Sequence, residues 1–187
     1  MANKSKSLDT SPAPMVVDGK DQEVFPAFHK LVSRNQYGSA PGHYVKVLDN
    51  TLAAVGVGTE PESTFKIYSS LVDLQTELNI LASYQHPNTV VAVDKGGDGK
   101  YRVVLKELPE GYVQSLTNFR GVKQEHPEIL FKKAIPAGSE FCSYVSIISD
   151  SKPIILGFDR EGHLMDPTQV EMDTEAAKLR IHEAQEY

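Results

Sequence analysis

The sequence predicts an α+β fold dominated by strands, arranged as an antiparallel sheet or sandwich. Three observations carry that expectation. Apolar and β-branched residues gather in short runs of strand length, as in Thr89-Val90-Val91-Ala92-Val93. Gly, Asp, Asn and Pro fall between successive runs, where hairpin turns would place them. Only two segments show helical spacing, against about eight that read as strands.

Taken in order, Val24 to Leu31 is apolar but interrupted by Pro26, which predicts a packed connector or a short helical turn. Asn35 to Gly42 is a Gly/Ser/Pro loop. Tyr44–Leu48 and Thr51–Val57 read as a hairpin through Asp49-Asn50, since Asp and Asn tolerate the left-handed backbone of a type I′ turn. Thr64–Tyr68 is the next strand. Leu71, Leu74, Leu78 and Leu81 then follow at spacings of three, four and three, which predicts a packed helix over about 70–84 with Ser70 as its N-cap. Val90–Val93 and Tyr101–Lys106 are strands joined by the Gly-rich run Asp94–Lys100. Residues 107–128 read as irregular. Strands at Ile129–Ala134 and Phe141–Ile148 flank the turn Pro136-Ala137-Gly138, and Pro153–Phe158 pairs through Asp159–Gly162 with His163–Met165. A lightly docked, acidic helix closes the chain over about 173–185, its apolar positions Ala177 and Ile181 being sparse. The expected organisation is a polar arm over 1–23, a β-rich body over 24–172 and a C-terminal acidic helix over 173–187.

Composition narrows the function. With 187 residues, the chain suffices for one domain that hides most of its apolar surface without disulfides. Nineteen Lys and Arg against 25 Asp and Glu give a net charge of −6, and the basic residues are scattered. Nucleic-acid binders concentrate such residues to neutralise phosphates, so nucleic acid is not an expected partner. No apolar run approaches the length needed to span a bilayer, so no membrane partner is expected either. No apolar h-region follows Met1-Ala2-Asn3-Lys4, which predicts cytoplasmic synthesis. The single cysteine, Cys142, forms no internal disulfide and reads as a buried thiol in a strand.

No motif of bond-making residues has the spacing its chemistry needs. The Asp94–Lys100 run departs from a phosphate-binding loop at its first position and at the metal-ligating hydroxyl, where Tyr101 stands. It departs from a calcium loop at Leu105, where a closing Glu is needed. A hairpin loop accounts for it. The six histidines, His29, His43, His86, His126, His163 and His182, show no chelating spacing. Ser143, Ser146, Ser149 and Ser151 lack a nucleophile elbow. The carboxylate pairs Glu171/Asp173 and Glu183/Glu186 read as solvated. The sequence therefore assigns no catalytic, cofactor-binding or metal-ligating residue and calls for no cofactor.

One stretch carries a family resemblance. A strand ending near Tyr68, a helix over Leu71–Ala82, a strand at Val90–Val93 and the run Gly96-Gly97-Asp98-Gly99-Lys100-Tyr101 together resemble the head-binding or adaptor regions of phage tailspikes and tail fibres. Those regions often carry Asp-Gly-Gly-Gly before an aromatic strand; here the Asp is displaced and one Gly is missing. The resemblance implies a virion structural protein that contacts other subunits, itself homo-oligomeric, with no enzymatic residues. A rival resemblance is to ADP-ribosyltransferase toxins, through Tyr68-Ser69-Ser70 and Gln75-Thr76-Glu77. In that family the two motifs stand on separate strands far apart in sequence, whereas here they adjoin and the second falls in the expected helix. A small protein inhibitor shares the physical profile of the first reading.

Overall fold

The structure, a computed structural model, describes residues 23–34, 43–149 and 151–185. The arm expected over 1–23, apart from Glu23, and the Asn35–Gly42 loop lie outside the described residues. Strands dominate, and every strand pair is antiparallel.

Among the described residues ten strands form one curled sheet: β1 Phe25–Ser33, β2 Tyr44–Leu48, β3 Thr51–Gly56, β4 Phe65–Leu71, β5 Glu77–Ser83, β6 Thr89–Lys95, β7 Tyr101–Glu107, β8 Phe131–Ala134, β9 Ser143–Ser146 and β10 Leu179–Glu183. The main path runs β3-β2-β1-β4-β5-β6-β7, and its two ends, β3 and β7, approach each other. β10 adds to β1, while β8 and β9 branch from β5. The branch is possible because β5 divides one edge, giving residues 77–79 to β8 and Ala82 to β6.

Period-two alternation sends the side chains to two cores. Phe65, Ile67, Leu81, Val91, Phe131, Tyr144, Leu156 and Leu179 fill the inside of the curl. Tyr68, Leu78, Ile80, Val90 and Ala92 face outward, where Leu108, Val113, Phe119, Val122, Ile129 and Leu130 cover them. The stretch expected to be irregular over 107–128 thus serves as a lid on the outer face, with a short helix α1 at Arg120–Glu125. The hairpin turn at Asp49-Asn50 has the expected left-handed backbone, with φ of 50° and 66°.

Three expectations are corrected. The helix over 70–84 is the end of β4, a turn and β5. Asp73 fixes that turn by accepting the Gln75 N–H at 2.7 Å. Leu78 and Leu81 lie on opposite faces, one in each core, and Leu71 and Leu74 are exposed. β5 is buried on both faces, so its apolar residues run on without alternation and mimic a helical stripe. The second correction concerns the C-terminus. Residues 173–185 hold a 3-10 turn at Glu175–Ala177 and then β10, not a helix. Leu179 and Ile181 alternate with Arg180 and His182, and Leu179 is fully buried. Third, Val24–Leu31 belongs mostly to β1. Pro26 stands where β1 has a neighbour on one side alone, a place where sheets accept proline. Residues 153–158 form no continuous strand, but the expected hairpin through Asp159–Gly162 is present: Phe158 bridges Leu164, flanked by Asp159 N–H to His163 O at 2.9 Å and Met165 N–H to Gly157 O at 3.0 Å.

Candidate functional site

One end of the curl carries polar groups on its inner face. Strand register puts them in rows: Ser69 of β4 faces Asn79 of β5, which faces Phe131 of β8. Leu71 faces Glu77, which faces Lys133, which faces Tyr144 of β9. Asn79 is fully buried, and its amide donates to Glu77 Oε2 at 2.9 Å and to Ser69 Oγ at 3.1 Å. Lys133 Nζ stands 3.7 Å from the same carboxylate oxygen. The Glu77 carboxylate is thus held by a buried amide on one side and a cation on the other.

The charges of this pair bear on three neighbours. Burial pushes the Cys142 thiol up to about 11, against a smaller pull from Lys133, so it is protonated and unreactive at neutral pH. Burial pushes the Tyr144 phenol well above its ordinary range, and its hydroxyl has no hydrogen-bond partner among the described residues. His29, on β1, has a buried Nδ1 that likewise finds no partner among them. Burial holds its imidazole below the ordinary 6.5; Lys133 lowers it further, while a hydrogen bond to the His182 backbone, Glu183 and Glu77 oppose.

A folded-state pKa below the unfolded one makes His29 contribute stability that is complete above pH 6.5 and lost as pH falls through the lowered value. Melting temperature is therefore expected to decline on acidification from neutrality to about pH 5. The decline should be shallower in His29→Gln, measured by calorimetry across that range. Equal slopes in the two proteins would show that His29 is not the group responsible.

Around this polar end the surface is apolar. Phe25 at the start of β1, Leu71 at the end of β4, Leu74 in the following turn and Ile135 just past β8 are 62%, 51%, 62% and 58% exposed. Phe25 and Leu71 line a cleft of about 200 Å³ with Glu23, Ser69, Ser70 and Glu77. Soluble proteins seldom gather exposed large apolar side chains without a contact to make.

The other residues weighed in the sequence stay apart. Of the Asp94–Lys100 run, Asp94 and Lys95 end β6 and the rest is the β6–β7 hairpin loop, closed by Gly96 N–H to Lys100 O at 2.8 Å, with Asp98 held in ion pair with Arg102 at 2.8 Å. His126 and Lys106 share the Glu128 carboxylate, which ties the 127–129 turn to β7. Burial would raise that carboxyl, but the hydrogen bonds from Lys106, its own backbone and His126 together hold it below the usual range. His163 pairs with Asp159 at 3.4 Å, His86 is exposed, and His182 lies 3.4 Å from the Tyr44 hydroxyl. Ser143 donates to Ala177 O, Ser146 Oγ accepts the Ile148 N–H, and Ser149 Oγ accepts the Ile154 N–H. Glu171, Asp173 and Glu183 are exposed; Glu186 lies outside the described residues. Among the described residues no three His, Cys, Asp or Glu side chains come together as a metal site, and no helix is long and apolar enough to cross a membrane.

Sequence reasoning missed Asn79 and Lys133 and misplaced Glu77. The available signal was Asn79 itself, a lone amide between Leu78 and Ile80 in an otherwise apolar strand. What the structure does bring together is Ser69 and Glu77, on adjacent strands and bridged by Asn79. No protein-family model matches the chain, and no curated protein matches it in sequence.

Proposed function

We propose that this protein works through subunit contacts, as an assembly or adaptor component of the kind found in phage tails, with the apolar end of the sheet as its contact surface. The observation behind this reading is the gathering of Phe25, Leu71, Leu74 and Ile135 at one end of the curl. Such a surface suits a second copy of the chain, because an apolar patch can meet its own image across a two-fold axis.

Light scattering behind size exclusion, run at several concentrations, tests it. The unaltered chain is expected to associate, and the double variant Phe25→Asp/Leu74→Asp to run as a monomer. Both side chains are more than half exposed, so the variant should melt at the temperature of the parent within a few degrees. A parent that stays monomeric throughout, or a variant that associates equally well, defeats the proposal.

A second reading has one observation in its favour. The Ser69–Asn79–Glu77 chain of hydrogen bonds puts the two segments resembling ADP-ribosyltransferase motifs on neighbouring strands. On that reading Glu77 would act on NAD, and turnover of NAD abolished by Glu77→Gln would favour it over the assembly role.

A further inference from the structure

A second concavity lies on the opposite, outer face of the same strands, where the lid over 107–130 stops short. Here the cross-strand rows are Phe28–Lys66–Ala82 and Pro26–Tyr68–Ile80, across β1, β4 and β5. Phe28, Lys66, Tyr68 and Tyr84 line a cavity of about 170 Å³, and Pro87 and Gln114 form its lip. Two rings flank one cation. Lys66 Nζ sits 5.5 Å from the centroids of both the Phe28 and the Tyr68 rings, while Phe28 and Tyr84 meet edge to face at 5.7 Å.

The polar groups of this cavity divide sharply. Gln114 is committed, its amide donating to Pro87 O at 3.1 Å and to Asn88 Oδ1 at 3.4 Å. Ser83 Oγ accepts the His86 N–H at 3.1 Å. The Tyr68 hydroxyl is sealed inside the protein, out of a ligand's reach, so Tyr68 offers the cavity its ring alone. One function is left over: the Lys66 ammonium has no carboxylate partner among the described residues. A cation left unpaired in an otherwise apolar cavity complements an anion and offers nothing to a cationic ligand.

We propose that this cavity binds a carboxylate carried on a single six-membered aromatic ring. The volume suits one ring, since an enclosed apolar void of about 150 Å³ holds benzene. The ring would lie against Phe28 and Tyr84, where aromatic edges and faces attract. The carboxylate would meet Lys66. A bare inorganic anion would find one cation against walls that are otherwise apolar, too few donors to replace its water. This site is separate from the apolar end of the sheet, so its test stands apart from that of the assembly role.

Benzoate is the probe, with benzyl alcohol and acetate as the neutral and ringless controls, titrated into isotope-labelled full-length chain and followed by amide chemical shifts. Benzoate is expected to shift Lys66, Tyr68 and Tyr84, with much weaker effects from either control. Lys66→Met should weaken benzoate at least about tenfold, the weight of one charge-assisted hydrogen bond. Lys66→Arg should keep binding, since the charge is retained. Melting temperature unchanged in Lys66→Met and Lys66→Arg ties the loss to the cavity rather than to the fold. Absence of benzoate binding, equal binding of benzyl alcohol, or binding indifferent to Lys66→Met would each overturn the assignment.

Discussion

Truncation after Lys178 is expected to unfold the protein, not merely to remove a tail. The deleted residues include β10, which pairs with β1 at five successive positions from His29 to Ser33. They also include Leu179, which is fully buried and exchanges both backbone hydrogen bonds with Cys142 at 2.8 Å. The far half of β1 has little else beside it: β2 meets it in register at Val32 alone, and β4 leaves after His29. Without β10, the backbone groups of Lys30 to Ser33 along that edge lose their partners while Leu31 loses its cover. Each buried group left unpaired costs about 1–3 kcal/mol, and loss of the buried Leu179 side chain adds about 2–5 kcal/mol. Those losses together match or exceed the roughly 5–15 kcal/mol that stabilises an ordinary domain. Circular dichroism and a thermal scan of the truncated chain make the measurement. A cooperative melt near that of the parent would mean that β10 is dispensable and that the core closes without it.

Phe131→Ala is expected to destabilise the fold by about 3–5 kcal/mol, among the largest effects of any single side chain. Phe131 is fully buried inside the curl, faces Asn79 on one side and Ser146 on the other, and meets the Tyr144 ring edge to face at 6.4 Å. It therefore packs at the junction where β8 branches from β5. Shrinking it opens a void beside a buried phenol and a buried amide, the latter held in place by its bonds to Glu77 and Ser69. For a chain of this length the loss corresponds to a fall in melting temperature of roughly 6–20 °C. Chemical denaturation of the parent and variant gives the free energy directly. A loss below about 1 kcal/mol would show that the branch is loosely packed and that the void collapses.

The consequences reach the candidate site, because Phe131 and Asn79 share a row and Asn79 positions the Glu77 carboxylate. A packing defect at Phe131 should loosen the Ser69–Asn79–Glu77 chain before the sheet as a whole gives way. The aromatic cavity around Lys66 lies on the other face of β4 and β5. Its binding of benzoate should survive Phe131→Ala at temperatures well below the melt.

Local sequence determined a good deal. Alternation and turn chemistry settle the β2–β3, β6–β7 and β8–β9 hairpins, because each is decided by residues within a few positions of one another, such as the left-handed Asp49 and Asn50. The strand-dominated class follows from them. What the sequence could not decide was any element whose environment is made by distant chain. β5 reads as a helix until the inner core covers one of its faces and the stretch over 107–130 covers the other. β10 reads as an acidic helix until β1, about 150 residues earlier by register, supplies its partner. The same holds for the sites. Ser69, Asn79, Glu77 and Lys133 meet only through cross-strand register, and Lys66 finds Phe28 only because β1 pairs with β4. Local backbone preferences are written in neighbouring residues, whereas burial on two faces and the convergence of polar groups are properties of the closed sheet.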